Sequence, residues 1–188
     1  MPFQAAQRLN GEFGIPWPAI VATCPAPTTV RFTDGTQMFF RPDPAGVHAW
    51  IIPVTCVDAG QPEEIETRDP LGVIACGHVI DLLAFDPERP RRFVLRTRRA
   101  AVLGAIEPQY CGAPAVRIFR DVTDWLKNQC QGLVLLTEDP FQAGRIIRRI
   151  NAIAAEDTRH AEELRERWAL PSYPLAFNTL ISVARRSE

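Results

Sequence analysis

Hydrophobic positions change their rhythm along the chain near residue 113. Before that point apolar residues come in short runs broken by turn-formers; after it they come as brief strands followed by helical stripes. Residues 3–9 predict a short helix ended by Asn10-Gly11. Pro16, Pro18, Pro25 and Pro27 then predict a stretch that is neither regular helix nor central strand. Thr28 to Thr33 and Thr36 to Arg41 flank Asp34-Gly35, a pattern that predicts a two-residue hairpin turn. Val47 to Val54 is a β-rich run, which Pro53 assigns to a sheet edge. Glu63 to Thr67 and Leu71 to Cys76 continue the meander. Residues 78–85 fit a short helix or a buried strand equally well, because periodicity cannot separate the two in so short an apolar run. Phe93 to Thr97 predicts a strand and Arg99 to Leu103 a helical turn.

In the second part Val116 to Phe119 predicts a strand, and Asp121 an N-cap. Val122, Trp125, Leu126 and Cys130 then recur at helical spacing before Gly132. Leu133 to Leu136 reads as a strand buried on both faces. Asp139-Pro140-Phe141-Gln142 supplies a cap, an N1 proline and a capping-box glutamine for a helix with Ile146, Ile147 and Ile150 inside. Ala152 to Ala155 is a third strand. Asp157 caps a helix carrying Ala161, Leu164 and Trp168 on one side, and Pro171 stops it. Strand–helix repeated with short connections predicts parallel strands joined by right-handed crossovers. The expected fold is therefore mixed α/β. It has a β-rich antiparallel lobe over 1–112, a small parallel βαβαβα unit over 113–171, and a tail over 172–188 that packs on the body.

Composition narrows the class. The 188 residues are 46% hydrophobic and 23% charged, which suits a globular core and excludes wholesale disorder. The longest apolar runs are too short to span a bilayer, and Met1-Pro2-Phe3-Gln4 lacks the basic start and apolar core of a secretory signal. Five scattered cysteines (Cys24, Cys56, Cys76, Cys111 and Cys130) form no C-x-x-C and predict free thiols in the cytoplasm. A net charge of −1 argues against a general nucleic-acid coat, although charge can still gather locally.

One place where it gathers is an acid-free stretch holding Arg89, Arg91, Arg92, Arg96, Arg98 and Arg99. On a strand over Phe93 to Thr97, Arg92, Arg96 and Arg98 share the face opposite Phe93 and Leu95. Such a stripe suits phosphate oxygens, which guanidinium groups bind through two parallel hydrogen bonds. The bland alternative is a solvated face paired with acids elsewhere.

Carboxylates form the second candidate. Asp121, Glu138 with Asp139, and Glu156 with Asp157 fall at the carboxyl ends of the expected parallel strands, where ligands of such sheets gather. Glu138, Asp139, Glu156 and Asp157 would make an oxygen-rich metal site. Capping accounts for the three aspartates more simply and leaves the two glutamates over. Glu156, His160 and Glu163 also share a helical face, where an ion pair of Glu163 with Arg167 is the plainer reading. Cys76-Gly77-His78 with Asp81 nearby reads as a buried thiol beside a hydrogen-bonded histidine. No Walker loop, G-x-G-x-x-G, G-x-S-x-G or H-E-x-x-H is present, so no catalytic residue and no cofactor is assigned.

The run Leu135-Leu136-Thr137-Glu138-Asp139-Pro140-Phe141-Gln142-Ala143-Gly144-Arg145 resembles the strand–acid–Ala-Gly–helix element of Toprim domains, found in primases and topoisomerases. Asp139 stands in the place of that family's first acid, Phe141 in the place of its second, and no earlier Glu-Gly motif is present. The resemblance thus implies the local α/β element without the Toprim ligand set. Ile80 to Ala105, with Ile153 to Leu164, is similar to uncharacterised proteins of bacterial prophages. The expectation is a non-enzymatic binding or accessory protein acting on nucleic acid or on a protein that handles it. The alternative is a metal-dependent enzyme using the strand-end carboxylates.

Overall fold

The structure, a computed structural model, describes residues 3–32, 40–56, 78–89, 91–104, 115–137, 139, 150, 152–168 and 180–183. The chain is a mixed α/β protein with one antiparallel sheet and one mixed sheet that carries parallel strands. It divides into two compact units, Met1–Ala100 and Ala101–Glu188.

The first unit begins with α1 (Phe3–Phe13) and α2 (Trp17–Thr23). Asn10-Gly11 does not end α1. The stop is Gly14, whose φ of 66° is open to a residue without Cβ and lets its N–H reach the Asn10 carbonyl. Asn10 in turn donates its side-chain N–H to the Ile15 carbonyl, which seats Ile15 in the core. The prolines after it are compatible with regular structure because of where they fall. Pro16 is the N-cap of α2 and Pro18 lies in its first turn, where a missing N–H leaves no hydrogen bond unmade.

Five strands follow: β1 (Ala26–Phe32), β2 (Phe40–Pro42), β3 (Val47–Cys56), β4 (His78–Phe85) and β5 (Phe93–Leu95). They lie in the order β2-β1-β3-β4-β5 and every pairing is antiparallel. A two-residue turn at Asp34-Gly35 would pair Phe32 with Gln37, but Phe32 pairs with Phe40. The turn itself lies outside the described residues, as do Glu63 to Thr67 and Leu71 to Cys76. β3 is the middle strand rather than an edge. Its pairing with β1 stops at Ile51, so Pro53 meets only Leu82 of β4 and interrupts no ladder with β1. Residues 78–85 are the strand alternative, since Trp50 and Ile52 of β3 pair with Phe85 and Leu83 and all four are buried.

β2 and β5 are the two edges of this sheet, yet Phe40 and Val94 share one buried cluster with Val30, Ala49 and Ala84. The sheet is therefore curled, with these residues on its concave face. Trp50, Ile52, Leu83 and Phe85 lie on the convex face and are buried as well.

The second unit contains β6 (Val102–Leu103), β7 (Val116–Phe119), α3 (Val122–Lys127), β8 (Leu133–Leu135), β9 (Ala152–Ala155), α4 (Thr158–Trp168) and β10 (Leu180–Val183). Their order is β10-β9-β7-β8-β6, with β10, β9, β7 and β8 parallel and β6 antiparallel at the edge. Val102 and Leu103, expected in a helical turn, instead pair with Leu135 and Val134. Part of the expected tail is β10, a further parallel strand beside β9. Leu133 and Val134 are both fully buried, as a central strand requires. The helix expected after Asp139 lies outside the described residues. The core joins Val116, Ile118, Leu133, Ile150 and Ile153 to Ala161 and Leu164 of α4.

Candidate nucleic-acid interface and the strand-end acids

The arginine segment is built around β5. Asp86 organises the connection from β4: its carboxylate accepts from the Glu88 N–H, its carbonyl from the Arg89 N–H, and its own N–H donates to the Arg92 carbonyl. Arg89 and Arg91 project from this connection and are exposed. β5 then runs only to Leu95, where the Arg96 N–H still reaches the Leu82 carbonyl. Beyond it the chain bends around a buried carboxylate. Asp81 Oδ1 accepts from the N–H groups of Leu82 and Thr97, both at 2.8 Å; Oδ2 accepts from Arg99 at 2.8 Å and Ala100 at 3.4 Å. Burial opposes ionisation of Asp81, but the hydrogen bonds from Thr97, Leu82 and Arg99 outweigh it and hold the carboxyl below its ordinary range. Arg98, at φ 59°, provides the left-handed step in this bend.

The expected stripe of Arg92, Arg96 and Arg98 keeps its first two members. Arg98 leaves the alternation because of the bend. Arg92 and Arg96 share a face, the concave one that carries Val94. The Arg92 guanidinium lies 4.4 Å above the centre of the Phe32 ring. The Arg96 guanidinium lies 5.7 Å from that of Phe40 and donates to the Phe40 carbonyl at 2.6 Å. Arg96 and Arg99 remain exposed and Arg92 is half-buried. None of Arg89, Arg91, Arg92, Arg96 or Arg99 forms an ion pair with a described residue.

At the carboxyl ends of β7 and β9 the acids are organised differently. Asp121 caps α3 by accepting the Asp124 N–H at 2.9 Å, and Asp157 caps α4 by accepting the His160 N–H at 2.7 Å. Arg120, which the sequence reading did not single out, joins the two ends. Its Nη1 and Nη2 meet the Asp157 oxygens at 2.5 and 3.1 Å, its Nε meets Glu163 at 3.2 Å, and its backbone N–H donates to Glu156 at 3.1 Å. The only sequence signal for it was a basic residue directly after a strand and beside a capping aspartate. Arg120 holds Asp157 well below the usual carboxylate range. Burial works against ionisation of Glu163, yet the Arg120 hydrogen bond outweighs it and lowers that group too. Glu163 also takes Arg159 at 3.0 Å. Burial pushes Glu156 up, with Asp124 and Asp121 adding repulsion, and burial raises Asp121 as well.

His160 is buried rather than part of an exposed face. Its Nδ1 lies 3.3 Å from the Glu156 N–H and 3.4 Å from the Glu156 carboxylate. A neutral ring with its proton on Nε2 accepts the first, and a proton on Nδ1 favours the second. Of the proposed metal set, Glu138 lies outside the described residues and Asp139 is exposed, its N–H donating to the Thr137 hydroxyl. No three His, Cys, Asp or Glu side chains among the described residues are placed to hold a metal ion. Cys24 and Cys130 are free thiols, and burial pushes Cys130 up to about 12. Cys76, Gly77 and Cys111 lie outside the described residues.

No helix among the described residues is long and apolar enough to cross a membrane. Comparison of the chain with protein-family models, curated proteins and solved structures finds no match.

Proposed function

We propose that this chain is a non-enzymatic binding or accessory protein that engages nucleic acid through the arginines around β5. One contrast supports the reading. Arg8, Arg31, Arg120 and Arg159 each have a carboxylate partner, whereas Arg89, Arg91, Arg92, Arg96 and Arg99 have none among the described residues. The bland reading of the segment, charges neutralised by acids of the same molecule, asks for pairs that the described residues do not supply. With a net charge of −1, attraction to a polyanion would be local to this edge.

A metal-dependent enzyme using Glu138, Asp139, Glu156 and Asp157 is the competing reading. The burial of Glu156 favours it. Against it, Arg120 engages both oxygens of Asp157, and Asp121 is occupied as a cap.

Fluorescence anisotropy of a labelled DNA duplex, titrated over a salt series, tests the first reading. Each phosphate neutralised contributes about −0.9 to the slope of log affinity against log salt. Contacts from Arg89, Arg91 and Arg99 give a slope of roughly −2 to −3. Replacing these three by Gln flattens the slope and leaves Tm nearly unchanged, since exposed charges contribute little to stability. Absence of binding to single- or double-stranded DNA or RNA at low salt excludes direct contact and leaves a protein partner.

A further inference from the structure

Phe32 of β1 and Phe40 of β2 are direct cross-strand partners. Side chains so placed point to one face of the sheet with Cβ atoms roughly 5 Å apart. Arg92 and Arg96 stand at opposite ends of β5, on the other edge of the sheet. The curl carries them onto these two neighbouring rings, one guanidinium over each. The arrangement is a pair of planar cations, each backed by an aromatic ring. The hydrogen bond from Arg96 to the Phe40 carbonyl fixes the second plane further.

Phosphate binding alone does not call for this. An exposed guanidinium reaches phosphate oxygens through its edge, from any orientation its flexible stem allows. Holding a guanidinium over a ring gives up that freedom, and the surface of the cation turned away from the ring can then serve as a stacking platform. Unpaired bases stack on guanidinium planes and on aromatic rings, whereas duplex bases have both faces covered by their neighbours. Arg89 and Arg91 lie before this pair in the chain and Arg99 after it. All three are exposed and without ion partners among the described residues, so they can follow a sugar–phosphate backbone on either side.

We infer that the ligand of this edge is a single-stranded nucleic acid, with two bases stacked on the outer planes of Arg92 and Arg96. The inference rests on the nucleic-acid reading above and goes beyond it in naming the strand state and the base contacts.

Anisotropy with three labelled probes of equal length, about 16 nucleotides, separates the two. The probes are oligo(dT), an abasic strand with the same phosphates, and a DNA duplex, each titrated with the unmodified protein at one low salt concentration. Oligo(dT) is expected to bind at least tenfold more tightly than the abasic strand, because one stacked base already supplies about that factor. It is also expected to bind more tightly than the duplex. The double variant Arg92→Lys with Arg96→Lys keeps both charges but removes both planes, so it should bind oligo(dT) no better than the abasic strand. Its salt slope should stay that of the unmodified protein. Equal binding of oligo(dT) and the abasic strand, or tighter binding of the duplex, overturns the inference while leaving phosphate contact standing. No binding of any probe overturns both. Because the comparison of probes uses the unmodified protein, it holds even if the double variant fails to fold.

Discussion

Asp81 lies opposite Thr97 in the continuation of the β4–β5 register, two steps beyond the pair of Leu83 and Leu95. There the ladder is replaced by a carboxylate that takes N–H groups from both sides of the bend. The N–H groups of Thr97, Arg99 and Ala100 that it takes lie 16 to 19 positions away in the chain. That separation is why the sequence placed Asp81 with its near neighbours Cys76 and His78 instead. The capping aspartates were legible for the opposite reason: Asp121 and Asp157 each serve an N–H three residues on, a spacing that can be read directly. Asp81→Asn turns one acceptor oxygen into a donor that faces N–H donors. The expected cost is about 2–4 kcal/mol in urea unfolding at neutral pH, the scale of losing hydrogen bonds to a buried charged group. A change below about 0.5 kcal/mol would show that the bend holds without the carboxylate.

Between elements, the readable parts are those whose pattern is local. β7, β8, β9 and the starts of α3 and α4 were all legible from alternation, an unbroken apolar run or a cap. β6 has only two residues and exists because β8 offers it an edge, so no periodicity could announce it. β10 likewise is defined by its neighbour β9. As a sequence signal Gly132 marks only the position just past a helix, which understates its part. It stands at φ 104°, its carbonyl accepts the Trp125 indole N–H at 3.0 Å, and a Cβ there would run into the Arg117 carbonyl of β7. Two demands, a backbone angle closed to other residues and close passage past β7, fall on one position. Gly132→Ala is expected to destabilise the protein by on the order of 3 kcal/mol. Hydrogen exchange should report the loss at Leu133–Leu135 and Val116–Phe119 while the β3–β4 amides keep their protection. Loss spread equally over both units would contradict a local origin.

Across the whole molecule, the buried and paired carboxylates divide by the sign of their linkage to pH. Asp81 in the first unit, and Asp157 and Glu163 in the second, ionise more readily when folded. Their stabilisation is complete above the unfolded values, about 3.9 for Asp and 4.3 for Glu, and is lost as pH falls through the lower folded values. Glu156 and Asp121 have the opposite sign, because burial raises them when folded. What they contribute is complete below those same unfolded values and is lost as pH rises through the raised folded ones. Thermal unfolding followed from about pH 2 to about pH 7 should therefore show the two limbs responding to different substitutions. Asp81→Asn should lower Tm most near neutral pH and progressively less towards the acid end, as protonation of the wild-type carboxyl removes the same interaction. Glu156→Gln keeps an acceptor for the Arg120 N–H but cannot ionise in its buried position. Its Tm should stay near that of the wild type in acid and rise above it as pH approaches 7. If Glu156→Gln instead lowers Tm by the same amount at every pH, the glutamate serves only as a hydrogen-bond acceptor, and burial of its charge costs the fold nothing measurable.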